Sequence, residues 1–187
     1  MNHKGTVKLE TNRLILRRIT MDDVSEMFDN WASNPNVTKF MTCPTHSSTE
    51  ITNMVITSWV NNYENFTYYQ WGIVIKETNQ LIGSISVVKL KEDIGEVEIG
   101  YCIGEKWWHQ GITSEAFSAI IPYLFEEVGA NRIESQHDPH NPQSGNVMKK
   151  CGWVYEGTLR QADYSNKGIV DACIYSILKD DWVKSNE

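Results

Sequence analysis

The sequence predicts a mixed α/β (α+β) fold in which helices flank one central sheet, in the order β-α-α-β-β-β-α-β-α-β-β. Three observations carry this reading. Ile112, Ala116, Phe117, Ile120, Ile121, Leu124, Phe125 and Val128 recur at three and four residues, the spacing of a helix with one buried face. Between Tyr69 and Ile103 the apolar residues follow the spacing of strands instead. The chain lacks regular strand-helix alternation, a G-x-G-x-x-G motif and a G-x-x-x-x-G-K-[ST] motif, which argues against the dinucleotide-binding and P-loop classes.

Taken in order, Arg13–Ile19 reads as the first strand. Thr20 and Asp23 form a capping box for a helix burying Val24, Met27, Phe28 and Trp31, which Asn34-Pro35-Asn36 should stop. A second box, Ser47-Ser48-Thr49-Glu50, opens a helix with Ile51, Met54, Val55 and Trp59 on its apolar face. Gln70–Ile75 and Leu81–Val88 form a hairpin turning at Thr78-Asn79, and Val97–Ile103 adds a third strand. In that strand Val97, Ile99, Tyr101 and Ile103 share one face; Glu98, Gly100 and Cys102 share the other. Pro122 should kink the long helix near Ala119 or split it in two. Arg132–Gln136 is a short strand, Ser144 to Cys151 a short helix ended by Gly152, and Trp153–Leu159 with Val170–Leu178 the last two strands.

A chain of 187 residues, 41% hydrophobic and 22% charged, suits one domain, placed at residues 7–184. The net charge of −7, without a basic run, argues against nucleic acid as a partner. No stretch approaches the roughly 18 apolar residues of a membrane span, so a soluble, unexported, cytoplasmic protein is expected, with no membrane partner. Cys43, Cys102, Cys151 and Cys173 lack a C-x-x-C pair and read as buried free thiols. His137 and His140 have no third ligand nearby, so no metal is expected.

The stretch Trp107-Trp108-His109-Gln110-Gly111-Ile112-Thr113-Ser114 joins a strand to the best-defined helix, and a helix start leaves unpaired N–H groups at the positive end of its dipole. Such a point suits an anion, most naturally phosphate.

The element order, this loop, the strand Val97–Ile103, and the run Asn141-Pro142-Gln143-Ser144-Gly145-Asn146-Val147-Met148-Lys149-Lys150-Cys151-Gly152-Trp153 together resemble the GNAT superfamily of N-acetyltransferases. That run, Glu156-Gly157-Thr158-Leu159-Arg160 and the opening Leu9-Glu10-Thr11-Asn12-Arg13-Leu14-Ile15-Leu16-Arg17 are similar to the branch acetylating ribosomal-protein N-termini. The resemblance implies a mostly antiparallel sheet, acetyl-CoA as cosubstrate and an amine as acceptor. It implies that the backbone of Tyr101, Cys102 and Ile103 pairs with the pantetheine arm, and that the N–H groups from His109 to Ser114, within a cofactor set of Trp108, His109, Gln110, Gly111, Ile112, Thr113 and Ser114, hold the pyrophosphate. Trp108 and Thr113 depart from the family's loop pattern, and His109 stands where the branch often has glycine; it either touches phosphate or is a plain loop histidine. Lys106, Lys149 and Lys150 are candidate helpers against the unfavourable global charge.

For the chemistry, the resemblance offers Glu98 or Asp163 as base, Ser144 as acid and Asn141 on the cofactor amide or a water. The tyrosine many members use as acid is replaced by Met148. Ser144 also reads as the N-cap of its helix, and Asn141-Pro142 as a turn opener. An α-amine of pKa about 8 is roughly a tenth neutral at pH 7, against about four parts in ten thousand for a lysine near 10.4, so an N-terminal acceptor tolerates a weak base. The leading reading is transfer to the N-terminal α-amine of a protein such as a ribosomal protein. The alternatives are a small amine (polyamine, antibiotic or amino acid) and a non-catalytic CoA-binding module. Trp31, Trp59, Tyr63, Tyr68 and Tyr69 belong to the core or to the acceptor site, and a homodimer through the last strands is implied by resemblance alone.

Overall fold

The computed structural model describes residues 1–186. A short strand β1 (Leu9–Glu10), unforeseen from sequence, precedes β2 (Leu14–Arg17). A 3-10 turn at Met21–Asp23 leads into α1 (Val24–Met27), which continues in wider π-type turns through Phe28–Ala32. Thr20 and Asp23 do form the reciprocal cap, with Thr20 N–H donating to Asp23 Oδ2 at 2.7 Å. Asn34-Pro35 does more than stop this helix. Asn34 Oδ1 accepts from Asn36 N–H at 2.9 Å and Pro35 starts a new one-turn helix, α2 (Pro35–Thr38), because proline is well suited to the first helical position.

The helix α3 (Thr49–Asn62) begins at the expected place, but its buried face is Thr52 and Ile56, while Met54 is 63% exposed. The apolar stripe read from sequence is therefore rotated about the axis: His46, whose Nδ1 lies 2.8 Å from Thr52 Oγ1, draws a polar residue inward. Next come β3 (Gln70–Ile75), β4 (Leu81–Lys91), β5 (Glu96–Ile103), α4 (Ile112–Pro122), β6 (Arg132–His137), α5 (Pro142–Lys150), β7 (Val154–Ser165), β8 (Gly168–Leu178) and α6 (Lys179–Asn186). Pro122 splits its helix as expected, with π-type turns over Tyr123–Val128 absorbing the missing amide. α5 starts at Pro142, so Asn141 and not Ser144 occupies the cap position. β7 runs six residues beyond the expected Leu159 because the register slips between Leu159 and Asp163 and then resumes. Polar, bulged hairpins of this kind carry little period-two signal.

The eight strands lie in the order β1-β2-β3-β4-β5-β6-β8-β7, and every neighbouring pair is antiparallel except β5 and β6. Trp71, Ile73, Val97, Ile99 and Ile133 bury one sheet face against Ala116, Phe117 and Ile120 of α4. Ile19, Trp31, Ile56, Val74 and Leu81 form a second cluster against α1 and α3 on the other face. Burial of each such large side chain contributes about 1.5–3 kcal/mol. The four cysteines are free, as expected, but Cys43 is exposed in the loop before α3, and the other three are half-buried.

Close packing of β4 on the upper end of β5 depends on Gly83, where a Cβ would stand 2.4 Å from the Cys102 carbonyl oxygen and 2.9 Å from Ile103 Cα. Because the obstruction is backbone, Gly83→Ala must displace the end of β5. A loss of about 1–3 kcal/mol is expected, read from the urea midpoint of the purified variant; a midpoint matching the parent would show that the strands can part without cost.

Candidate active site

The site begins where the only parallel pair of the described sheet comes apart. β5 and β6 pair through Glu96–Arg132, Val97–Ile133 and Glu98–Glu134, and beyond Glu98 each strand continues without the other. Ser135 Oγ, donating to the Ile99 carbonyl at 2.7 Å, is the last bridge. Gly104 N–H donates back to Ile82 at 2.8 Å and Val87 N–H turns away to Tyr69 at 3.0 Å, which fixes the alternation on upper β5. Cys102 thus faces its amide to β4, whereas the N–H groups of Tyr101 and Ile103 point into the gap. The Ile103 carbonyl is already taken by Trp108 Nε1 at 2.9 Å. Of the backbone expected to meet a pantetheine arm, Tyr101 and the Ile103 N–H are therefore the parts left open.

The loop after β5 turns twice through left-handed backbone, at His109 (φ 61°) and Gly111 (φ 72°). His109 thus occupies a conformation that favours glycine, the residue common there in the resembled branch. The first intrahelical bond of α4 runs from Glu115 N–H to Gly111 O at 3.1 Å, leaving the N–H groups of Ile112, Thr113 and Ser114 without helical acceptors. Gln110 Nε2 donates to Lys106 O at 3.0 Å and steadies the loop from within.

Two cations flank this helix start. Arg13 donates both terminal nitrogens to Gln110 O at 3.1 Å and its Nε to Glu115 at 2.5 Å; a Cβ on Gly111 would lie 3.8 Å from Arg13 Nη2 and equally from Lys150 Nζ. Lys150 thus stands where a helper was sought, while Lys106 lies over the Trp107 ring and Lys149 over Tyr175. Arg13 had no sequence signal, because its partner Gln110 is 97 positions away.

A cleft of about 1030 Å³ runs from this helix start to the opposite side of the sheet, and its lining includes Trp108, His109, Gly111, Ile112, Thr113, Ser114, Tyr101, Cys102, Ile103, Asn141, Ser144, Glu98 and Asp163. The structure brings together every sequence-selected site residue except Gln110, which acts on the loop from outside the lining. Trp31 and Trp59 wall the far half, whereas Tyr63 and Tyr69 are core residues outside it. Glu98 is 9% exposed and ion-paired with Lys89 Nζ at 2.8 Å. Asp163 lines the cleft just past the β7 bulge, its Oδ1 accepting from the Tyr164 N–H at 2.8 Å; within the bulge Gln161 takes a left-handed φ of 50° and donates its N–H to Asp171 at 2.8 Å. The β7–β8 tip closes this end: Asn166 Nδ2 donates to Thr38 O and Cys43 O, both at 2.8 Å.

Ser144, released from any capping role, is 2.6 Å by its Oγ from the Tyr101 hydroxyl, which also lies 3.1 Å from the Ser144 carbonyl. Burial pushes the Tyr101 phenol well above its ordinary pKa, so this hydroxyl stays neutral. Burial likewise pushes the Cys102 thiol up to about 11 and raises Cys151, which leaves neither as a ready thiolate nucleophile at neutral pH. Asp138, missed at the sequence level, is buried and accepts from the His140 N–H and ring at 2.8 Å, with Lys167 Nζ at 3.6 Å. Among the described residues no group of three His, Cys, Asp or Glu side chains could hold a metal, and no helix is long and apolar enough to cross a membrane.

Comparison with known proteins agrees with this geometry. Residues 13–154 match the family model described as the acetyltransferase (GNAT) domain. An uncharacterized N-acetyltransferase of Bacillus subtilis (strain 168) is 35% identical over 171 residues, covering 91% of this chain and 96% of the relative. The ribosomal-protein-serine acetyltransferase of Escherichia coli (strain K12) is 32% identical over 113 residues, 60% of this chain and 63% of that one. The crystal structure of a GNAT-family acetyltransferase from Bacillus anthracis superposes with a TM-score of 0.81 at 24% identity, covering 93% of this chain and 99% of the other. With a family match over most of the chain and a parted β5–β6 pair opening onto a bare helix start, the protein belongs to the GNAT family of N-acetyltransferases.

Proposed function

We propose that the protein takes its acetyl group from acetyl-CoA and passes it to the α-amine at a protein N-terminus, a ribosomal protein being the favoured class. One observation carries the cosubstrate half: the parted edge of β5 leads directly to the unpaired amides of α4, with Arg13 and Lys150 beside them. An amide-rich arm ending in a pyrophosphate fits that sequence of donors, and the local cations offset a protein whose net charge is −7. Acetyl-CoA supplies the activated acyl group as a thioester. The Tyr101 and Ile103 amides hold the arm and polarise the acyl carbonyl. Glu98 accepts the proton of the incoming ammonium, with Asp163 steering the cation from β7. Asn141 orients the arm, and as the tetrahedral intermediate collapses, its nitrogen gives up a second proton, which Ser144 relays to the leaving sulfur while Tyr101 positions the Ser144 Oγ.

The acceptor half is supported by similarity to the serine acetyltransferase of Escherichia coli and by the two tryptophan walls, which suit an extended, partly apolar segment. Incubation with labelled acetyl-CoA should give transfer to Ser- or Ala-headed peptides at a higher kcat/KM than to polyamines, amino acids or free lysine. A small amine is the second reading, favoured by the Asn166 latch that narrows the far end; the same panel with the order reversed would establish it.

Ser144→Ala is expected to lower kcat by about 10²–10⁴-fold with the KM for acetyl-CoA unchanged, and Tyr101→Phe to lower it less. Steady-state kinetics with both substrates varied provides the check, and a rise in KM alone would make Ser144 a binding residue.

We also propose that the β7–β8 hairpin forms a homodimer. It carries Val154 and Leu159 on β7 and Ile169 on β8 at 56%, 56% and 70% exposure, and β7, at the outer edge of the sheet, has an unpaired side that invites a second copy. Sedimentation should show a dimer for the parent and a folded monomer for Leu159→Asp.

A further inference from the structure

The far half of the cleft contains a polar side chain with no partner. Gln70, on β3, is 6% exposed and lines the cleft, yet its Nε2 has no hydrogen bond within the protein. Its backbone is fixed on both sides, the N–H donating to Thr6 Oγ1 at 2.8 Å and the carbonyl accepting from the Tyr63 hydroxyl at 2.9 Å. Its neighbour Trp71 belongs to the core under α4, so strand alternation sends the Gln70 side chain to the opposite face, toward Trp31 and Trp59. Buried amide donors are nearly always satisfied, so one left open at a cleft wall is completed by water or by a ligand that enters the cleft.

The register places this amide relative to the chemistry. Gln70 stands opposite Ser86 on β4, and Ser86 opposite Gly100 on β5, so the row from Gln70 to Gly100 crosses two strand spacings, roughly 10 Å. Glu98 lies on β5 two residues from Gly100 and on the same face. Ser86 keeps the floor low beside Gln70, while Val88, from the β4 bulge, leans over Gly100 with its Cγ1 2.9 Å from where a Cβ would stand and bounds the path on that side. An amine held at Glu98 would therefore send its next few atoms along this floor toward Gln70.

We infer that Gln70 reads the acceptor: its Nε2 donates to the carbonyl oxygen of an amide attached to the amine-bearing carbon, so the site takes amines that carry an adjacent amide and discriminates against plain alkylamines and polyamines. A primary amide offers both a donor and an acceptor, the pattern of a peptide unit. This rests on the acetyl-transfer reading of the cleft and specifies its substrate class.

The test uses the full chain and matched acceptor pairs, such as alaninamide against isopropylamine and a Ser-headed tetrapeptide against a polyamine, with acetyl transfer followed at saturating acetyl-CoA. With kcat/KM expressed per neutral amine, so that the lower pKa of an α-amino amide is already taken out, the parent should prefer the amide-bearing member by at least about tenfold. Gln70→Leu and Gln70→Met, which fill the space without a donor, should abolish that preference, leave the KM for acetyl-CoA unchanged and melt no earlier than the parent. Equal rates on both members in the parent, an undiminished preference in the variants, or no transfer to any amine overturns the assignment, and so does an equal loss on both members. Transfer to small amides but not to peptides would refute the protein N-terminus as acceptor and still support Gln70 as the reader.

Discussion

Backbone that runs out of partners is the constraint on which this structure turns. Eight strands satisfy one another laterally until β5 passes Glu98, where its parallel neighbour diverges. A buried N–H left without an acceptor costs free energy comparable to a lost hydrogen bond, so a strand edge opening into a cleft is stable only if water, side chains or a ligand complete it. The protein completes part of that edge itself, with Ser135 on the Ile99 carbonyl and Trp108 on that of Ile103. What remains open between these two braces is centred on Tyr101. The gap is thus trimmed at both ends to a short segment of backbone.

The same economy governs the helix that follows. α4 packs Ala116, Phe117 and Ile120 without exposure against the sheet, which fixes its axis and hence the direction of its first amides. Glu115, in the first turn, would by itself favour the positive end of the helix dipole. It is instead engaged by Thr11 and Arg13, so its charge is neutralised locally and Arg13 is held over the loop. Burial works against ionised Glu115, but those hydrogen bonds outweigh it and keep its pKa below the usual carboxylate value. An anion then meets the helix amides and Lys150 without a bare carboxylate among them, on a protein that is negative overall.

Polar placement in the far half follows a related logic. The β7 bulge and the Asn166 contacts bring the last hairpin over the far end of the cleft, so carboxylates from β5 and β7 line one space although 65 positions of sequence separate Glu98 from Asp163. Two tryptophans supply an apolar boundary there, within which each charge–charge contact is stronger than in open solvent. Neutral Tyr101 and Cys102 add no competing charge.

Sequence alone determined the local elements: the periodicity of α4, the strand spacing of β3 to β5, the Thr20–Asp23 cap and the split at Pro122 all follow from residues within a few positions of one another. It also marked the loop from Trp108 to Ser114, Glu98 and the Asn141–Ser144 run, because short motifs carry those. It misplaced the apolar face of α3, the start of α5 and the end of β7, where a polar tertiary partner, a proline or a bulge overrides the simple period. Only the tertiary structure decided that Ser144 meets Tyr101, that Arg13 braces Gln110, that Asn166 latches Thr38 across 128 positions, and that Gln70 is left without a partner. These are contacts between segments distant in the chain, and no local pattern encodes them: each depends on how strands are ordered in the sheet, and above all on where β5 and β6 come apart.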